Sequence, residues 1–196
     1  MHQGNLTILR AACSGLALLV LGGCGGGGGS SASAPAAYAS VLSYSNPPLG
    51  GYSLQAEPAS NHTAHLVLDL VGPAGTVARG VSFFLTADPA MVAWSPQGSA
   101  YAVPGTAFSL GPAPQAFVAK AAAGNLQVGI FQKSGAATYG SAPLVQVALD
   151  LKAGVVLPGS TVALGPSAGL GPVLVDANGA VQPFPAAIAV GALTAE

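Results

Sequence analysis

Beyond residue 24 the chain never stays apolar for long. Gly, Pro, Ser, Asn or Asp interrupts every stretch well before the roughly 20 residues that a membrane-spanning helix requires. The apolar residues come instead as short segments, and the clearest alternates in period two: His65-Leu66-Val67-Leu68-Asp69-Leu70-Val71. There Leu66, Leu68 and Leu70 point one way and His65, Val67 and Asp69 the other, as on a half-buried strand. Comparable segments are Gly80–Thr86, Ala116–Ala121, Leu126–Gln132, Leu144–Leu151, Thr161–Leu164 and Ala187–Leu193, with weaker ones at Val41–Tyr44, Tyr52–Ala56, Met91–Trp94 and Val173–Val175. Turn signals separate them: Asn46-Pro47-Pro48, Gly72-Pro73, Asp88-Pro89, Gly111-Pro112, Gly124-Asn125, Pro158-Gly159 and Asn178-Gly179. In the last pair both residues tolerate the positive φ of a tight hairpin. No helical stripe followed by a cap stands out. About eight to eleven short strands at this spacing predict an all-β fold, an antiparallel β-sandwich or jelly roll.

Composition narrows the function classes. Only 6% of residues are charged, five Lys and Arg against six Asp and Glu. A basic face for nucleic acid is therefore excluded, and so is an acidic tail. Disorder is a poor reading as well, because disordered chains pair low hydrophobicity with high net charge, and 51% of this chain is hydrophobic.

The first residues carry an address. Residues 1–10 hold one cation, Arg10, and residues 11–23, AACSGLALLVLGG, suit the apolar core of an export signal while being short for a span. Leu21-Gly22-Gly23-Cys24 then resembles the lipobox of bacterial lipoproteins, an aliphatic residue and two small ones before a cysteine. The resemblance implies a signal peptide over residues 1–23, cleavage before Cys24, and a thioether from its sulfur to diacylglycerol. Acylation of the freed amine is implied too, and several acyl chains on one residue make attachment lasting where a single chain gives only about 10⁴ M⁻¹. Cys13 leaves with the signal, so the mature chain holds one cysteine and no internal disulfide. Residues 24–37 read as the lipidated cysteine and a Gly/Ser tether, with a root-mean-square reach of about 20 Å. Gly25 follows the cysteine where enterobacterial lipoproteins retained at the inner membrane carry Asp. The resemblance therefore implies the outer membrane of a bacterial envelope. Residues 38–196 form the exported domain.

That domain resembles a cohesin-type module, which is related to the carbohydrate-binding sandwiches of cellulolytic systems. The likeness rests on the order Leu66-Val67-Leu68-Asp69-Leu70, Gly80-Val81-Ser82-Phe83-Phe84-Leu85 and Ala87-Asp88-Pro89-Ala90-Met91-Val92. It continues in Leu144-Val145-Gln146-Val147-Ala148-Leu149-Asp150-Leu151 and a closing Ala189-Val190-Gly191-Ala192-Leu193. It would cover residues 52–194, and an unrelated immunoglobulin-like sandwich shows the same alternation. Cohesins bind dockerin modules through one face of the sandwich, but none of those contact residues can be matched here.

Chemistry is sparse. His62 and His65 straddle a turn and a strand start, so their rings do not converge as they would on a helix; Asp69 shares a strand face with His65. No Gly-x-Ser-x-Gly elbow occurs, Ser160 and Ser167 lack partners, and the acids are scattered. These features argue against an enzyme, and no metal or cofactor is expected. Asp88 and Asp176-Ala177-Asn178-Gly179 offer oxygens to calcium, yet the later acidic ligand of a calcium loop is missing and a hairpin turn explains the second better. Lys120, Lys133 and Lys152 read as solvated strand ends. Trp94, Tyr101 and Phe108 bracket a Pro/Gly/Ser-rich segment. Trp94 and Tyr101 are the candidate ligand-binding residues, by stacking on sugar rings, while the core is the competing place for Trp94 and Phe108. Two functions follow: a non-catalytic binding module displayed on a lipid tether for a protein or polysaccharide partner, or an accessory lipoprotein of a secretion or pilus assembly that docks by strand addition.

Overall fold

The computed structural model describes residues 37–108, 116–133 and 135–196. Cys24 and most of the tether expected at 24–37 lie outside the described residues. Within them every regular element is a β-strand, and every strand pairing is antiparallel. One sheet runs β2 (Ser53–Ala56), β3 (His65–Val71), β10 (Val145–Leu151), β5 (Val92–Trp94), and β6 (Ala102–Pro104) shares an edge of β10 with β5. The larger sheet runs β14 (Val181–Pro183), β13 (Val173–Asp176), β4 (Val77–Ala87), β8 (Asn125–Phe131), β7 (Ala116–Ala122), with β9 (Ala137–Thr138) and β12 (Leu164–Pro166) also on β4. A small third sheet joins β1 (Leu42–Ser45), β15 (Ala192–Ala195) and β11 (Ser160–Thr161).

Alternation decides what is inside. Leu66, Leu68 and Leu70 of β3 face Leu149, Val147 and Val145 of β10 in register, and all six are essentially inaccessible. From the larger sheet, Val81, Phe83 and Leu85 of β4 and Leu126, Val128 and Ile130 of β8 complete the same core. Burying each such Leu or Phe contributes about 1.5–3 kcal/mol, which places the domain's stability in these facing rows. At one end the core closes on aromatics: Tyr52 stacks on Phe184 with ring centres 3.7 Å apart, and Tyr139 meets Tyr52 and Phe108 edge to face.

Several sequence expectations require correction. Thr161–Leu164 is not one strand. β11 pairs with β15 and β12 with β4, so the chain changes sheets at Val162 and Ala163. The closing strand starts at Ala192 instead of Ala187. Ala189 exchanges backbone hydrogen bonds with Tyr52 and Leu54 in a single bridge, and the Gly191 backbone then passes too close to Ser45 for any side chain. β6, β9 and β14 are too short to leave a periodic signal. At Asn178-Gly179 only Gly179 takes a positive φ, of 90°. Asp176 Oδ1 accepts from the Asn178 and Ala180 amides, and the Asp176 carbonyl accepts from Gly179. This is a turn with a glycine bulge rather than the two-residue hairpin of positive φ. That two-residue geometry occurs instead between β7 and β8, at Ala123 (φ 47°) and Gly124 (φ 81°).

Candidate functional site

The outer faces of the two large sheets differ in kind. On the five-stranded sheet, register pairs His65 with Asp150 and Asp69 with Gln146 across β3 and β10. His65 Nδ1 lies 2.5 Å from Asp150 Oδ1, with both side chains about half exposed. Asp69 is partly buried, and burial pushes its carboxyl above the ordinary value; the Gln146 side chain opposes that shift and the Glu57 charge adds to it. Gln55 sits beside Asp69 on β2. Polar groups therefore alternate on this face with Val67, Ala148 and Val103.

The seven-stranded sheet presents apolar side chains outward. Because Val81, Phe83 and Leu85 enter the core, Ser82, Phe84 and Thr86 must emerge on the far side of β4. Register carries the face across its neighbours. Gly129 and Gln127 lie opposite Ser82 and Phe84, Val118 and Lys120 lie opposite those, and Val173 pairs with Ser82 on the other flank. Val181 continues it beyond Val175 on β14 and is 66% exposed. At about 4.8 Å between strands, the five main strands make this face about 20 Å wide. Lys120 is the cation on its β7 margin, and Asp176 stands at the β13 end, where the turn amides, Ala180 first, hold its carboxyl below the ordinary value.

The residues singled out in sequence lie elsewhere. Trp94 sits on β5, 6% exposed, and its indole N–H donates to the Gly124 carbonyl at 2.8 Å. Tyr101 is half-buried against the core. Both line one hollow of about 260 Å³ with the β7–β8 turn and Lys152, whose ammonium donates to the Pro89 carbonyl. The Trp94 ring thus packs largely in the core, the competing place weighed for it, while Trp94 and Tyr101 border the same hollow. Phe108 is buried too. His62 and His65 do not come together: His62 turns toward the Glu196 carboxylate, 3.9 Å away, while His65 goes to Asp150. Asp88 Oδ1 accepts from the Ala90 amide and Asp176 Oδ1 from its own turn, so each carboxylate serves local backbone. Among the described residues no three His, Cys, Asp or Glu side chains gather at a metal-binding spacing.

Sequence reasoning missed the apolar outer face. Its signal was present in Phe83-Phe84, where two adjacent large residues on one strand must face opposite ways, and in Val173-Leu174-Val175, which is apolar on both faces.

No protein-family model and no curated protein sequence matches the chain. Solved structures do. A type II cohesin dyad from the adaptor ScaA scaffoldin of Acetivibrio cellulolyticus aligns with a TM-score of 0.52 at 13% identity, over 79% of this chain and 48% of that one. The fold is cohesin-like. Two further matches are the sixth cohesin of scaffoldin B from the same organism, solved in complex with a Cel5 dockerin mutant, and a cohesin module from a Clostridium perfringens family 33 glycoside hydrolase. The first has a TM-score of 0.48 at 18% identity, over 80% of this chain and 100% of that one. The second has 0.41 at 12%, over 74% and 90%. At such identities the likeness is one of fold.

Proposed function

We propose that this protein is a non-catalytic, protein-binding module of cohesin-like fold, anchored to a bacterial membrane by lipid on Cys24. The observation that carries the binding reading is the outer face of the seven-stranded sheet. Phe84, Phe131, Val118, Val173, Val175 and Val181 stand there in partial or full exposure around Gln127, Ser82 and Thr86. Flat apolar surface with a polar rim marks protein interfaces, since its burial by a partner contributes free energy that solvation of a lone domain does not. A rigid sheet also presents such a surface at little entropic cost. The anchoring reading rests on Leu21-Gly22-Gly23-Cys24 and on the Gly/Ser tether that follows.

Two experiments test the parts separately. With the mature chain as bait in envelope extracts, the partner is expected to be captured by the parent and by Val103→Asp on the opposite face, and lost with Phe84→Asp. Loss should be at least about tenfold in affinity, equivalent to about 1.4 kcal/mol. A partner that Phe84→Asp retains in full places binding elsewhere. For the anchor, Cys24→Ser is expected to abolish lipid labelling and signal cleavage; a variant that still matures to the same size and sediments with membranes rules the lipid out.

A further inference from the structure

The chain enters the domain beside a loop with unusual chemistry. After β10, Ala153-Gly154-Val155-Val156-Leu157-Pro158-Gly159 contains no charged or hydrogen-bonding side chain, although connecting loops ordinarily carry polar residues. Val156 turns into the core at 3% exposure, which leaves Val155 and Leu157 on the outside at 59% and 53%. The Ala39 amide donates to the Val156 carbonyl at 2.8 Å, so the first described residues run directly alongside this loop. Ala39 faces in, and Tyr38 stands out at 51% exposure. Three exposed large apolar side chains thus gather where the tether joins the domain. Close by, the Ser40 and Val41 amides donate to the Glu196 carbonyl, and the Glu196 carboxylate lies 3.9 Å from His62. Alone, so small a patch is unremarkable on a protein surface.

Its position changes that. Cys24 precedes Tyr38 by a Gly/Ser-rich stretch whose reach is about 20 Å, so a lipid on Cys24 keeps this end of the domain near the headgroups. A Gly/Ser-rich tether of this length raises the local concentration into the millimolar range, and a contact too weak to act in solution then becomes populated. Tyrosine and exposed aliphatic side chains suit the boundary between headgroups and acyl chains, and the nearest lysine in sequence, Lys152, turns to the Pro89 carbonyl.

We infer that Tyr38, Val155 and Leu157 form a foot that rests on the lipid surface holding the anchor. This inference depends on the lipidation of Cys24 proposed above. It orients the domain: the end carrying β11 and the termini faces the bilayer, instead of the domain tumbling freely on its tether.

The mature chain's only cysteine would be blocked as a thioether, so an introduced thiol reports on its own site alone. Leu157→Cys and Leu170→Cys suit the purpose, because the parent residues are equally exposed at 53% and 52% while only Leu157 belongs to the foot. The lipidated full-length variants are placed on vesicles of phosphatidylethanolamine with a minority of phosphatidylglycerol and treated with a water-soluble maleimide. On vesicles Leu157→Cys is expected to label about tenfold more slowly than Leu170→Cys, with the two rates equal in the unlipidated mature chain, residues 24–196 carrying Cys24→Ser, which lacks Cys13. Flotation of the parent chain with vesicles but equal labelling at both sites overturns the foot and leaves the anchor. Failure of the parent to float overturns the anchor, and the foot falls with it.

Discussion

The outward faces of the two large sheets are built from the same backbone and answer to opposite rules. On the five-stranded sheet, His65 meets Asp150 and Asp69 meets Gln146 in cross-strand register, so polar groups face one another, although Asp69 Oδ1 is buried without a partner. On the seven-stranded sheet, Phe84 crosses from Gln127, and Val173 and Val181 extend the apolar surface with no ion pair. The first arrangement is what a solvated face needs. The second exposes area that only a partner would remove from water. The contrast teaches that alternation alone does not identify a solvent face; the residues that alternate outward do.

The sharpest way to test this contrast lies within one strand. Phe83 and Phe84 are neighbours on β4, yet only Phe83 is fully buried. Phe83→Ala is expected to cost about 3–5 kcal/mol in unfolding free energy measured by denaturant titration, because it leaves a cavity. Phe84→Ala should cost under about 1 kcal/mol while weakening partner capture. Equal stability losses would mean that Phe84 is structural, and the contrast between the faces would fail.

A smaller effect is expected on the polar face. A double-mutant cycle on His65→Ala and Asp150→Ala should give a coupling of about 0.2–1 kcal/mol, since both partners are half exposed and solvent screens them. Larger coupling would make this face a designed ionic site rather than a solvated one.

The smallest expected effect concerns Asp69. Its carboxyl is raised above the ordinary 3.8, chiefly by burial, so the folded chain holds the proton more tightly than the unfolded chain. Stability from this group is therefore complete at low pH and declines as pH rises from 3.8 through the raised value. Asp69→Asn should remove that decline, so that the variant gains on the parent between acidic and neutral pH in thermal unfolding. An unchanged pH slope would show that Asp69 is better solvated than its position implies.

The sequence by itself determined the class of fold and its central strands. Leu66-Leu68-Leu70 and Val145-Val147-Leu149 alternate cleanly because each strand buries one face, and period two survives any detail of pairing. Interrupting Gly and Pro likewise excluded long helices in advance. The tertiary structure decided what local pattern does not encode. It sent Ser160–Pro166 to two different sheets, and it closed the chain through Ala189 and Gly191 against β2 and Ser45. It also placed Trp94 under Gly124 instead of on the surface. Each outcome depends on a partner distant in sequence, such as the Gly191 amide donating to the Tyr44 hydroxyl 147 residues away, which a short window cannot see. The apolar outer face belongs with these. Five strands from separate parts of the chain each contribute one or two side chains, and only their pairing turns scattered Phe and Val residues into a surface.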